Sequence, residues 1–231
     1  MNSTKSVARW IGLLPLLQIA AGAVVNFMLL GPVFQNPPGF LLNAAPQALA
    51  VRLAVLFEIG LAAASVGIAI AAWPVFRRHS ERMALWLIVL AAAGLALSAL
   101  EGVGLMSMLS LSQAFAAAGA PDGDLYPALR GVVTATRNWS HFIRIAIAGA
   151  FILVLFVTLF RFRLVPRVLA GFGAAAALLQ MSALSMPLFG QPIAFLMLAP
   201  LGIAVLGLAA WLLTKGLLEN PVPEVDRPVS L

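Results

Sequence analysis

Long apolar segments recur along the whole chain and restrict its architecture more than any other property. A helix needs about 20 mainly apolar residues to cross the hydrocarbon core of a bilayer. Six segments meet that length, at residues 10–31, 49–73, 83–110, 138–160, 167–188 and 193–214. The composition agrees, because only 10% of the 231 residues are charged, whereas soluble domains carry about 25%. The sequence therefore predicts an all-α, polytopic integral membrane protein with six transmembrane helices.

The connecting segments contain helix-breaking residues. The prolines of residues 31–47 end the first helix. Residues 116–131 are expected to be the longest loop, because they contain an Ala-Pro-Asp-Gly turn. We predict a single six-helix domain over residues 1–216 and a disordered, Pro-rich tail over residues 217–231.

Lysine and arginine are distributed unequally between the two sides of the predicted bundle. Cytoplasmic loops carry an excess of these residues. Four arginines fall on one side, namely Arg52, Arg130, Arg137 and Arg144. The other ten of the 14 basic residues fall on the side of both termini. Both termini, and with them the tail, are therefore predicted to be cytoplasmic.

The same distribution argues against several functions. The net charge of +6 does not indicate nucleic-acid binding, because the basic residues lie in short loops between apolar spans. The chain has no cysteine, which excludes thiolate metal sites and cysteine nucleophiles. His141 is the only histidine expected at membrane depth, and one histidine forms neither a zinc site nor a bis-histidine haem site. We predict no metal, no cofactor and no catalytic triad.

Polar residues inside the predicted spans are the candidate functional residues. Positions i, i+4 and i+7 share one helix face, so Arg137, His141 and Arg144 form one stripe on the fourth span. An unpaired charge at the bilayer centre costs about 2.5–3.5 kcal/mol, and Arg144 opposite Glu101 or Glu58 would remove most of that cost. We expect a charged cavity between the second, third and fourth spans. Its candidate ligand-binding residues are Glu101, Arg144, His141, Glu58, Arg137 and Asn138.

Some polar and glycine positions have simpler interpretations. Arg52 and Arg137 are expected near the membrane interface, where their side chains would reach lipid headgroups. The glycine pairs at residues 102–104 and 171–173 lack the strand that precedes a phosphate-binding loop. Close packing of helices is their predicted role.

Several stretches together resemble a bacterial family of six-helix membrane proteins known as domain of unknown function 4386. They include "ARWIGLLPLLQIAAGAV" at residues 8–24, "GIAIAAWPVFRRHSERMAL" at residues 67–85 and "LVPRVLAGFG" at residues 164–173. The resemblance implies a multi-pass protein of the bacterial inner membrane and brings no established activity. Family members often carry an arginine three residues before the glutamate of the third span, where this chain has Ser98. That difference favours Arg144 as the partner of Glu101.

Three functions remain open at this stage. The first is a non-enzymatic protein that binds or moves a lipid or small amphiphile. The second is a structural or partner subunit, either of another membrane protein or of a homo-oligomer. The third, less favoured, is an intramembrane enzyme in which Glu58 or Glu101 acts as acid or base with His141.

Overall fold

A computed structural model describes residues 2–121 and 123–218 of the chain. The described part is helical and contains no strand. Its α-helices are α1 Asn2–Ala23, α2 Gly31–Phe34, α3 Phe40–Asn43, α4 Ala48–Phe76, α5 Glu81–Ala117, α6 Leu125–Arg161, α7 Arg167–Ser185 and α8 Ala199–Thr214. Apart from its first two residues, the tail predicted at residues 217–231 lies outside the described residues.

Six helical segments of the described chain are long and apolar enough to cross a membrane, as predicted. They are Lys5–Phe34, Ala48–Phe76, Glu81–Ala117, Leu125–Arg161, Arg167–Phe189 and Phe195–Thr214. Each overlaps one predicted span. The chain is therefore a multi-pass integral membrane protein, and its described part is all-helical.

The predicted loop at residues 116–131 is wrong over most of its length. Helix α5 continues to Ala117, and α6 begins at Leu125 rather than at residue 138. Pro127 fits within the first turn of α6, where backbone N–H groups have no partner in the helix. The turn itself is short and includes Gly119, whose φ of +77° suits glycine. Helices α5 and α6 are each 37 residues long, or about 55 Å.

The first span changes its winding before it ends. Residues Val24–Leu29 form a π-helical segment that leads directly into α2. A turn at Gly39, with φ of +101°, then connects α2 to α3. Ser112 of α5 attaches this region to the bundle, because its hydroxyl donates to the carbonyl of Leu41 and accepts from the amide of Ala45. The α2–α3 segment, residues 31–44, therefore covers the part of α5 around Ser112. We call this end of the bundle the upper end.

The six long helices form a ring in which each packs against two neighbours. The order around the ring is α1, α4, α5, α6, α7 and α8, and α8 returns to α1. Helices that follow each other in sequence are neighbours throughout, which short connections favour.

The ring contains two apolar cores at different heights. One lies near the basic loop at residues 77–82, contains the fully buried Phe156 and includes side chains of all six long helices. The other includes Val33, Phe40 and Leu105 and lies beside the α2–α3 segment. Between the two cores, α5 buries Ser98 and Glu101. This polar layer holds the candidate site.

Candidate functional site

A buried carboxylate on α5 contacts two arginines and a histidine on α6. None of the Glu101 side chain is exposed, and its Oε1 lies 2.8 Å from Nδ1 of His141 and 3.1 Å from Nη2 of Arg137. Its Oε2 accepts a hydrogen bond from Nε of Arg144. A carboxylate only accepts hydrogen bonds, so the bond to His141 requires the proton on Nδ1. We call these four residues the Glu101 cluster.

The helical spacing of the three partners explains why one carboxylate can reach them all. Arg137, His141 and Arg144 occupy positions i, i+4 and i+7 of α6, and their side chains point to the same side. The predicted stripe and the predicted pairing of Arg144 with Glu101 are both confirmed by these contacts.

Two glycines of α5 bring its neighbours close to the cluster. A Cβ added to Gly104 would lie 3.2 Å from Cβ of Arg137, and one added to Gly102 would lie 3.0 Å from Cγ1 of Val55. The first glycine admits α6 and the second admits α4. The glycine pair at residues 171–173 also allows close helix packing, because a Cβ added to Gly173 would overlap the Phe156 ring. Both pairs have the packing role that the sequence predicted.

Glu58 of α4 lies near the Glu101 cluster without joining its bonds. It is within electrostatic range of Glu101, Arg144, Arg137 and His141. Its Oε2 is buried and has no hydrogen-bond partner among the described residues. Of the two carboxylates proposed as partners for Arg144, the structure therefore selects Glu101.

The expectation that Arg137 reaches lipid headgroups is wrong. Only 16% of its side chain is exposed, and Nη2 is paired with Glu101. Its guanidinium also lies over the ring of Phe34, 5.6 Å from the centroid. The physical reason is that Arg137 lies on the face of α6 that packs against α5, which directs its guanidinium towards Glu101. Arg52, which was given the same interpretation, is exposed.

An open cleft of about 710 Å³ lies next to the cluster. Its walls come from the α2–α3 segment, from α5 and from the first half of α6. The lining residues are Phe34, Gly39, Phe40, Met108, Pro127, Arg130, Gly131, Thr134, Ala135, Arg137 and Asn138. We refer to this feature as the cleft.

The cleft is not where the sequence placed a cavity. That cavity was expected between the second, third and fourth spans, whereas no residue of α4 lines the cleft. Of the six predicted ligand-binding residues, Arg137 and Asn138 line it, and Glu101, Arg144, His141 and Glu58 do not. The reason is that the α2–α3 segment closes over α5 and creates a concave surface above the cluster. Arg137 belongs to both features and joins them.

Sequence reasoning missed Arg130 and the aromatic residues Phe34 and Phe40. Arg130 stands seven residues before Arg137, so it continues the stripe of α6 upward. Extending α6 by two turns would have revealed it. The two phenylalanines follow no comparable pattern, because a proline-rich turn separates them.

The second histidine lies outside the spans and is unrelated to the cleft. His79 stacks on Phe162 with ring centroids 5.5 Å apart. Burial, and to a lesser degree the neighbouring Arg78, lowers the pKa of His79 below its ordinary value. This imidazole is therefore neutral at pH 7.

The contact between Glu101 and His141 bears on the hypothesis of an intramembrane enzyme. That alternative requires a carboxylate and His141 beside a shared substrate position. The 2.8 Å contact joins His141 to Glu101, but Glu101 is fully buried and neither residue lines the cleft. The pair connects α5 to α6.

The chain resembles known proteins at the level of its family. A family model described as "Domain of unknown function (DUF4386)" matches residues 10–216. No curated protein and no solved structure matches the chain.

Proposed function

The chain belongs to the family described as domain of unknown function 4386, and from that premise and the geometry of the cleft we propose that it binds a lipid or another small amphiphile. The binding site is the cleft between the α2–α3 segment, α5 and α6. The observation that carries this proposal is the lining of the cleft, which joins apolar side chains to a few polar ones. Its volume of about 710 Å³ falls within the usual range for small-molecule sites, about 300–1,000 Å³.

The two kinds of lining residue suit the two parts of an amphiphile. Phe34, Phe40 and Met108 supply apolar surface for a hydrocarbon chain. Arg130 and Asn138 are exposed polar groups on the α6 wall of the same cleft. A few polar groups in a mostly apolar concave site are typical of ligand pockets.

We also propose that both termini face the cytoplasm of a bacterial inner membrane. The excess of lysine and arginine on the side of the termini supports this orientation. In it, the cleft opens on the outer side of the membrane, because Arg130 and Arg137 lie on the side with four basic residues. A lipid would then enter from the outer leaflet.

Filling the cleft with a side chain tests the proposal. Gly131 lines the cleft, and a Cβ added to it would meet no atom within 4 Å. Gly131→Leu should therefore occupy the cleft without disturbing the fold. Gly60→Leu is the matched control, because Gly60 is an exposed helical glycine of α4 that also has open space around it.

The measurement is native mass spectrometry of both variants and the wild type after extraction in a mild neutral detergent. We expect an extra mass of lipid size on the wild type and on Gly60→Leu, and its loss from folded Gly131→Leu. The same adduct on all three proteins would contradict the proposal, as would a wild type that carries no adduct and takes none from added lipids. A co-purifying protein chain in place of a lipid would favour a partner-subunit role.

A further inference from the structure

We infer that the amphiphile bound in the cleft carries an anionic head, a phosphate or carboxylate, which Arg130 and Arg137 recognise. This inference rests on the proposed function and adds the charge of the ligand to it. The cleft contains two arginines, and no described lining residue is acidic. The polar part of the cleft is therefore positively charged.

The carboxylates below the cleft do not balance its positive charge. Three arginines, Arg130, Arg137 and Arg144, lie along the stripe of α6. Two carboxylates, Glu101 and Glu58, interact electrostatically with the lower part of that stripe. One positive charge remains even when both carboxylates are counted as ionised. Glu101 already binds two of the arginines, so the third, Arg130, is the one whose charge an incoming anion can neutralise.

Arg137 keeps hydrogen-bond donors for a ligand. A guanidinium has five N–H donors, and Nη2 of Arg137 binds Oε1 of Glu101 at 3.1 Å. Its Nε is buried with no acceptor among the described residues, so the donors left for a ligand are those of the Nη groups, on a side chain that is 16% exposed. The ring of Phe34 lies 5.6 Å from the guanidinium carbon and holds its plane. Arg137 is therefore positioned by one acidic and one aromatic contact while it still lines the cleft.

Arg130 lies across the upper part of the cleft. A Cβ on Gly39 would lie 3.2 Å from Nη2 of Arg130, so this guanidinium rests against the turn between α2 and α3. It stands seven residues from Arg137 on α6, which is about 10 Å along the helix axis. Two cations at that spacing on one wall, with aromatic side chains on the other, match an anionic head attached to a hydrocarbon chain.

Four probes with matched chains or heads test the inference. The full-length protein in a neutral maltoside detergent is titrated with dodecyl phosphate, dodecylphosphocholine, dodecanol and inorganic phosphate, and affinity is measured by microscale thermophoresis. The variant is Arg130→Gln, which keeps a polar side chain at this exposed position of α6. Arg52→Gln is the matched control, because it removes an exposed arginine that does not line the cleft.

Dodecyl phosphate should bind at least tenfold more tightly than the zwitterionic and neutral probes. Arg130→Gln should weaken its binding about tenfold, which corresponds to one hydrogen bond to a charged group, and Arg52→Gln should not.

The outcomes separate the two proposals. Equal affinity for all three dodecyl probes, lost in Gly131→Leu, would overturn the anionic head and leave amphiphile binding in place. No binding of any probe would overturn both. Inorganic phosphate that binds as tightly as dodecyl phosphate, with loss in Arg130→Gln, would support anion recognition and contradict the role of the hydrocarbon chain.

Discussion

Glu101 shares one negative charge between two guanidinium groups and the imidazole of His141. Its own side chain is fully buried, whereas Arg137 and Arg144 keep 16% and 23% exposure. Removal of one partner from a buried ion pair leaves the other charge without compensation, which costs more than the pair contributes. Glu101 is therefore the residue on which the charges of α6 depend.

We predict that Glu101→Gln lowers the free energy of unfolding by about 3 kcal/mol, at the low end for a broken buried pair because both arginines are partly exposed. Glutamine has the size of glutamate but no charge, so the two guanidinium groups lose their counter-ion. The measurement is unfolding by sodium dodecyl sulfate titration in mixed micelles, followed by circular dichroism.

Glu81→Gln is the control for this change, because Glu81 is an exposed carboxylate on the same helix. It should cost a few tenths of a kcal/mol. An equal loss in both variants would show that the Glu101 cluster contributes no net stability.

The sequence predicted this cluster in part, and the limit is physical. The spacing of Arg137, His141 and Arg144 is a property of one helix, so it could be read from the residues. The choice of Glu101 over Glu58 as their partner depends on how α4 and α5 rotate about their axes. That rotation is set by Gly102 and Gly104, and a single sequence does not show which neighbour each glycine faces.

Between elements, small residues decide how closely the helices pack. Gly173 of α7 faces the ring of Phe156 on α6, and that ring is fully buried in the core near the basic loop. A ring at this distance leaves no room for a methyl group. Membrane helices commonly use small residues for such contacts.

We predict that Gly173→Ala destabilises the protein by about 1–3 kcal/mol, as expected for an overpacked core. The added Cβ would lie 2.2 Å from the Phe156 ring, so the ring or a helix must move. Thermal unfolding followed by near-ultraviolet circular dichroism measures the effect.

Gly202→Ala is the matched control, because a Cβ on Gly202 meets nothing within 4 Å. It should leave stability unchanged or raise it, since alanine favours helix over glycine. The pair Gly173→Ala with Phe156→Leu should recover part of the loss. Equal stabilities of Gly173→Ala and Gly202→Ala would disprove the close contact.

The helices were easier to predict than their ends. Apolar length identified all six spans, because the bilayer requires that length of every spanning helix. It gave no information about residues 111–137, where α5 and α6 extend past the apolar segments. There the helices are supported by contacts with each other and with the α2–α3 segment. Most of the α6 wall of the cleft lies in this extension, which the apolar pattern did not cover.

At the scale of the whole molecule, the ring has two unlike ends. One carries the basic loop at residues 77–82, and the other carries the cleft and the α2–α3 segment. The first core lies at one end and the second core at the other. The proposed orientation assigns the basic end to the cytoplasm.

We predict that a membrane-impermeant maleimide distinguishes the two ends in intact spheroplasts. The chain has no cysteine, so single-cysteine variants need no other change. Gln191→Cys should react from outside because Gln191 is exposed in the connection before α8, on the cleft side. Glu81→Cys, exposed at the opposite end, should react only after lysis. The reverse labelling pattern would invert the topology and place the cleft inside.

The length of α6 has a consequence for how the cleft would be filled. A helix crosses the hydrocarbon core with about 20 residues. If Arg161 marks one end of that crossing, the other end lies near His141. The cleft residues of α6, 127–138, then begin about 5 Å beyond the hydrocarbon edge, so that the lower end of the cleft, at Arg137 and Asn138, lies at the level of the headgroup layer, which is about 5–8 Å deep. A lipid held in that layer is at a high effective concentration, as a tethered ligand is. Millimolar intrinsic affinity would suffice for occupancy, and the occupied fraction would follow the composition of the leaflet rather than any dissolved amount.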